Sequence, residues 1–221
     1  MQTRIQAAIF DMDGVLVDSR VPVARSINYA LERLGFESYS EADLHRFVGP
    51  PLIEAFRQVL SERGGDPSDA GRCVEIYRER YREASLVETE ICPEMKEVTE
   101  KIAGRAPLVV ATARPAELAR PILEALGLAQ FFLEVFGPPM DPRSESKEIT
   151  VGRALRRLSQ GAPHHGIVMV GDRRHDAVAG KAHGLLTIGV TWGIGGTVEL
   201  REAGVDRMVS SPTELLSLFE A

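Results

Sequence analysis

Two short groups of aspartates stand out for their chemistry: Asp11 and Asp13 in "AAIFDMDGVLVDS", and Asp172 and Asp176 in "GDRRHD". The first group ends a run of small and apolar residues, where unpaired carboxylates would be strongly disfavoured. A divalent cation offsets that cost, because Mg²⁺ favours carboxylate, carbonyl, water and phosphate oxygens. A carboxylate can also attack phosphorus when metal and hydrogen-bond donors overcome the repulsion between two anions. Asp11 is the candidate nucleophile. Asp13 lies two residues further on, the same side of an extended strand. Pushed toward its neutral form by nearby like charge, it suits proton transfer to a leaving alkoxide and from an attacking water. Thr112 adds a hydroxyl after the run "LVVA", and Lys147 adds an ammonium at the head of the helical stretch "SESKEITVGRAL".

Each residue also has a plainer role. "DxDG" is a fragment of a calcium loop only if glycine is sixth and glutamate twelfth, and here Gly14 is fourth. Thr112 alone suits a strand-end hydroxyl bonded to local backbone, and Lys147 alone a solvated helix residue. Asp172 suits a helix cap, and Asp176 a first-turn charge favoured by the helix dipole. Both roles are compatible with metal binding. The five histidines include the pair His164 and His165 and the separate His175 and His183. Their spacing is not that of a zinc site, and they read as structural or surface residues. Trp192 is expected to pack a loop against the core.

The elements that position the aspartates follow from the apolar pattern. Strand-length apolar runs recur at residues 7–10, 108–111, 131–136, 167–170 and 185–190, with helix-like stretches between most of them. Runs apolar throughout suit strands buried on both faces of a parallel sheet covered by helices. In such sheets ligands bind at the carboxyl ends of strands near a switch in strand order. That is where Asp11, Asp13, Thr112, Asp172 and Asp176 fall. The first two strands are separated by about ninety residues without a convincing strand, far more than one crossover helix needs. Residues 21–34, 41–47, 52–63 and 68–83 within that insertion carry apolar residues at helical spacing. The expectation is an α/β fold: a Rossmann-like parallel-sheet core of residues 1–17 and 89–221 with an inserted α-helical unit of residues 18–88. Pro121 predicts a kink or restart in the helix between Pro115 and Leu126.

With 221 residues and 44% apolar content the chain can bury a real core. Its net charge of -6 argues against a general nucleic-acid binder, since phosphate backbones reward clustered Lys and Arg. No apolar run approaches the roughly 18 residues of a membrane helix. Cys73 and Cys92 are too few for a disulfide scaffold, and the chain reads as cytoplasmic.

These residues resemble the haloacid dehalogenase superfamily of Mg²⁺-dependent phosphohydrolases. "DMDGVLVDS" matches its first motif, "VVATAR" its hydroxyl motif, Lys147 its lysine motif and "GDRRHDAVAGKAHG" its acidic motif. The resemblance implies that Asp11 is the nucleophile and that Asp13 is the acid/base, with a backbone carbonyl on the metal. It implies that Thr112 holds a phosphoryl oxygen with Ala113 and Arg114 beside it, that Lys147 balances charge, and that Asp11, Asp13, Asp172 and Asp176 form the Mg²⁺ site. The insertion resembles the family's cap, with Arg46 facing the leaving group. Asp13 disfavours dehalogenation, and the apolar Val23 and Leu52 disfavour a hexose-phosphate mutase. "FVGPPLIEAF", "GDRRHD" and "GVTWGIGG" resemble the phosphoglycolate phosphatase and nucleotidase-like branch, although Arg114 stands where lysine is more usual. The implied activity is hydrolysis of a small phosphate monoester by a monomer or homodimer. A 5'-nucleotidase and a sugar-phosphate phosphatase or phosphomutase are the alternatives on this fold. A phospho-accepting signalling domain is the rival of another class.

Overall fold

The computed structural model describes residues 4–140, 145–159 and 165–220. They divide into two compact units, one comprising residues 4–18, 91–140, 145–159 and 165–220, the other residues 19–90.

The strands in chain order are β1 (Ala7–Phe10), β2 (Val17–Asp18), β3 (Glu90–Ile91), β4 (Leu108–Ala111), β5 (Val135–Phe136), β6 (Ile167–Gly171), β7 (Leu186–Val190) and β8 (Arg207–Val209). The first unit is built on a six-stranded sheet of order β5-β4-β1-β6-β7-β8, in which the adjacent strands run parallel. The sequence order reverses around β1, which has β4 on one side and β6 on the other. This is the switch point where an open parallel sheet leaves a crevice. β1 is wholly buried, as a continuous apolar run predicts for a strand covered on both faces. Side chains alternate along it: Ala7 and Ile9 join Val109, Ala111, Val151, Leu155 and Met169 in one buried cluster. Phe10, of opposite parity, meets Phe132 edge to face at 6.1 Å.

The helices in chain order are α1 (Arg20–Arg33), α2 (Glu41–Leu44), α3 (Leu52–Glu62), α4 (Ala70–Glu88), α5 (Met95–Ala103), α6 (Ala116–Ala125), α7 (Lys147–Ser159), α8 (Arg174–Ala182), α9 (Gly196–Glu202) and α10 (Pro212–Ser217). The second unit is helical: α1 and α3 pack on α4, with Phe56 edge-on to Tyr77 and Tyr77 stacked on Tyr81 at 5.0 Å. β2 and β3 form a separate two-stranded sheet where the chain passes between the units.

Several elements differ from the sequence expectation. The run 131–136 forms only the two-residue β5, preceded by a 3₁₀ turn at Ala129–Phe131. β5 lies at the sheet edge: Leu133 is exposed although its N–H donates to the Leu108 carbonyl at 2.8 Å, and Val135 and Phe136 pair in register with Val110 and Ala111 on β4. β8, the opposite edge, was not expected, because Arg207 and Met208 face solvent and break the apolar pattern. The strands β2 and β3 are too short to register as periodicity. Residues 41–47 split into α2 and a 3₁₀ turn, and α4 runs on to Glu88. α6 continues through Pro121 instead of restarting, since proline removes one bond while Ala119, Ile122 and Leu123 anchor the helix.

Candidate active site

Strand register brings the acidic groups together. Phe10 pairs with Val110 on one side and Val170 on the other, and Asp11 donates its backbone N–H to the Val170 carbonyl at 2.9 Å. Thr112 and Asp172 therefore leave β4 and β6 just beyond the level of Asp11. Asp11 keeps the parity of Ile9, the face against which α7 packs. Lys147, the first residue of α7, places Nζ 2.7 Å from Asp11 Oδ1 and 2.9 Å from Asp176 Oδ1. Asp176 is the third residue of α8, and its Oδ2 accepts from the Arg173 N–H at 3.1 Å. It thus closes the helix start and also faces Lys147.

Asp172 does not cap α8. Its Oδ2 accepts the Ile194 N–H at 2.6 Å, from the loop after β7. Gly14, at φ +81°, and Gly193 bring bare backbone against this side chain, and a Cβ at either position would collide with its carboxylate. Among the described residues, Asp172 Oδ1 is buried without a hydrogen-bond partner. Leaving a buried carboxylate oxygen unsatisfied is costly, so the atom asks for a cation or a proton.

Asp11, Asp172 and Asp176 each offer an oxygen, and these atoms lie within 4.8 Å of one another. Three buried carboxylates, one of them carrying an unpartnered oxygen among the described residues, fit a hard divalent cation such as Mg²⁺. Electrostatics tell the same story. Burial, reinforced by Asp176, pushes the Asp172 carboxyl up to about 7. Burial and then Asp176 hold Asp11 well above the usual carboxylate range, against the opposing pull of Lys147. For Lys147, burial favours the neutral amine, but attraction from Asp11 and Asp176 outweighs it and raises its pKa.

Asp13 has a different setting from the one expected. The strand ends at Phe10, so alternation does not extend to residue 13, and a turn over Met12–Val17 follows. Its carboxylate meets a guanidinium: Arg114 Nη2 lies 2.6 Å from Oδ1 and Nε 3.3 Å from Oδ2. The neighbour expected to favour its neutral form was a like charge, and the structure puts a cation there. The Asp13 side chain is likewise outside the three-carboxylate cluster. Thr112 Oγ1 accepts the Arg114 N–H at 3.1 Å, the local role foreseen for it, and a hydroxyl so used still has a proton to donate. Ala113 is exposed between them.

A family model described as haloacid dehalogenase-like hydrolase matches residues 8–190, which include every residue of this cluster. The chain belongs to that family. This hydrolase is an enzyme of the phosphatase kind. It is 36% identical to a 5'-nucleotidase from Pseudomonas aeruginosa, over 87% of this chain and 86% of that one. It is 29% identical to a phosphoglycolate phosphatase from Neisseria gonorrhoeae, over 96% and 92% respectively. Among solved structures, a haloacid dehalogenase-like family hydrolase from Streptococcus pneumoniae superposes with a TM-score of 0.88 at 27% identity, covering 99% of this chain and 100% of that one.

Arg46 of the hydrolase belongs to the helical unit. There it pairs with Glu62 at 2.6 Å and lies over the Phe47 ring, 4.6 Å from its centroid. His175 is exposed, and His183 bonds the Glu148 carbonyl at 2.9 Å, in keeping with surface and structural roles. His164 lies outside the described residues. Trp192 does more than pack: its Nε1–H donates to the Val15 carbonyl at 3.2 Å, within the turn that carries Asp13. Its place in "GVTWGIGG", directly after a strand end, was the only sequence signal for that contact.

Proposed function

We propose that the chain is a Mg²⁺-dependent phosphatase that hydrolyses a small phosphate monoester of the phosphoglycolate class through an aspartyl-phosphate on Asp11. The observation that carries this reading is the convergence of Asp11, Asp172 and Asp176 within 4.8 Å, with Lys147 bonded to two of them. Asp11, Asp172 and Asp176 would hold the cation, with the Asp13 backbone carbonyl as a further ligand. When bound, it supplies positive charge that lets one anion approach another.

The chain's own residues then divide the work. Lys147 orients the Asp11 carboxylate, which donates an electron pair to phosphorus as the bond from phosphorus to the leaving alkoxide breaks. Thr112, with Ala113 and Arg114 beside it, holds the phosphoryl oxygens. Asp13 gives its proton to the alkoxide, then takes one from the water that attacks the acyl phosphate, releasing inorganic phosphate and free Asp11. The pair between Asp13 and Arg114 must open for this, and an incoming phosphate competes with Asp13 for the guanidinium. Residues 19–90 act as the cap that selects the leaving group, with Arg46 as a candidate contact once released from Glu62. The net charge of -6 and the low cysteine count support a cytoplasmic enzyme.

A second reading, a 5'-nucleotidase, is favoured by the 36% identity to the Pseudomonas aeruginosa protein of that name. Phosphate release from phosphoglycolate, nucleoside monophosphates and sugar phosphates, measured with Mg²⁺ and with a chelator, separates the readings. Chelator-sensitive release from phosphoglycolate supports the first reading, and preference for a nucleoside monophosphate replaces it with the second. A long-lived phosphoenzyme without phosphate release would instead mean a phospho-accepting switch.

A further inference from the structure

The loop after β7 grips Asp172 and the turn that follows Asp11. Ile194 donates its N–H to Asp172 Oδ2 at 2.6 Å, and two residues earlier the Trp192 indole N–H reaches the Val15 carbonyl at 3.2 Å. The root of the loop is fixed, because the Thr191 N–H donates to the Val209 carbonyl at 3.0 Å. Val15 belongs to a turn closed on itself: the Leu16 and Val17 N–H groups reach the Met12 carbonyl at 2.9 and 3.1 Å, and the Gly14 N–H reaches the Val17 carbonyl at 2.8 Å. The two consecutive carbonyls at Val15 and Leu16 are held from outside the turn, one by Trp192 and the other by the Cys92 N–H at 3.0 Å.

This turn has a position to keep. Gly14, at φ +81°, lies so close to Asp172 that no side chain fits between them, and Gly193 walls the same carboxylate from the clamping loop. An internally rigid turn moves as a body, so its outside anchors decide where Gly14 stands relative to Asp172. Asp11 is held by the sheet through the Val170 carbonyl, whereas the Asp13 backbone lies within the turn and moves with it.

We infer that Trp192 is a positioning residue for the cation site: by holding Val15 it seats the Gly14 turn against Asp172 and so sets where the Asp13 backbone carbonyl stands relative to the Asp172 carboxylate. The inference rests on the phosphatase reading, in which Asp172 and the Asp13 carbonyl share Mg²⁺. An indole that only filled space would contribute to stability and leave cation affinity unchanged.

The test uses the full chain and Mg²⁺ alone, followed by melting temperature. Trp192→Phe keeps an aromatic ring and removes the donor. The variant is expected to need about two- to tenfold more Mg²⁺ for half of the maximal stabilisation, the effect of one lost hydrogen bond. Trp192 is the single tryptophan, so the parent's emission reports on this contact independently of the variant's folding. That emission is expected to change along the same Mg²⁺ curve as the melting temperature. Coincident Mg²⁺ midpoints in parent and variant, or parent emission that stays flat while Mg²⁺ stabilises the protein, would overturn the role of Trp192 and leave the phosphatase reading standing. A parent that Mg²⁺ does not stabilise at all would defeat both.

Discussion

Arg114 holds Asp13 through two contacts, 2.6 Å from Nη2 to Oδ1 and 3.3 Å from Nε to Oδ2, with both side chains nearly enclosed. Removing one partner leaves the other charge buried and uncompensated, which typically costs about 3–5 kcal/mol, whereas removing both costs much less. Arg114→Ala and Asp13→Ala are each expected to lower unfolding free energy by more than Arg114→Ala/Asp13→Ala does relative to either single variant. Urea denaturation of the four proteins measures this coupling, and additive effects would mean that the pair contributes little.

Lys147 is the counter-charge for two carboxylates. In metal-free protein at pH 8, Lys147→Met is expected to cost on the order of 3 kcal/mol, because Asp11 and Asp176 lose their cation. At pH 5 the loss should be smaller, since Asp11, already raised, can take up a proton instead. Thermal melts at both pH values check the difference. An equal loss at pH 5 and pH 8 would point to packing and away from charge.

The Asp172 carboxyl, pushed up to about 7 by burial and by Asp176, gives stability a definite direction with pH. Between roughly pH 4, the ordinary carboxylate value, and pH 7, the folded chain holds a proton that the unfolded chain releases. This group's contribution is therefore full at low pH and is lost as pH rises through 7 in chelator-treated protein. Mg²⁺ competes with that proton, so the stabilisation by added Mg²⁺ is expected to grow over the same interval. Melting curves from pH 5 to pH 8, with chelator and with Mg²⁺, should diverge as pH rises.

Much of this site was legible because the strands that carry it are simple. Continuous apolar runs mark β1, β4 and β6, and a parallel sheet then puts Asp11, Thr112 and Asp172 at neighbouring strand ends. What escaped the sequence lies in loops and at edges. The Arg114 contact to Asp13 and the Trp192 contact to Val15 join residues 101 and 177 positions apart, and each depends on turn geometry that periodicity does not encode. β5 and β8 escaped or shrank because edge strands have only one paired side, so exposed residues such as Leu133 and Arg207 blur their pattern.

Asp13→Asn removes the proposed proton carrier while keeping the shape of the side chain. With an aryl phosphate, whose leaving group needs no proton, the first step should persist and the second should stall. A rapid burst of one phenolate per enzyme followed by a turnover at least about a hundredfold slower is expected, in line with general acid–base contributions. Stopped-flow absorbance reads both phases, and undiminished steady turnover would remove Asp13 from the acid/base role.

The most direct test is phosphate release by Asp11→Asn, with Mg²⁺-dependent melting as the control for an intact site. If a carboxylate oxygen of Asp11 forms the bond to phosphorus, the variant should lose turnover to background while Mg²⁺ still stabilises the fold. Phosphate release at the parent rate from Asp11→Asn would contradict the account.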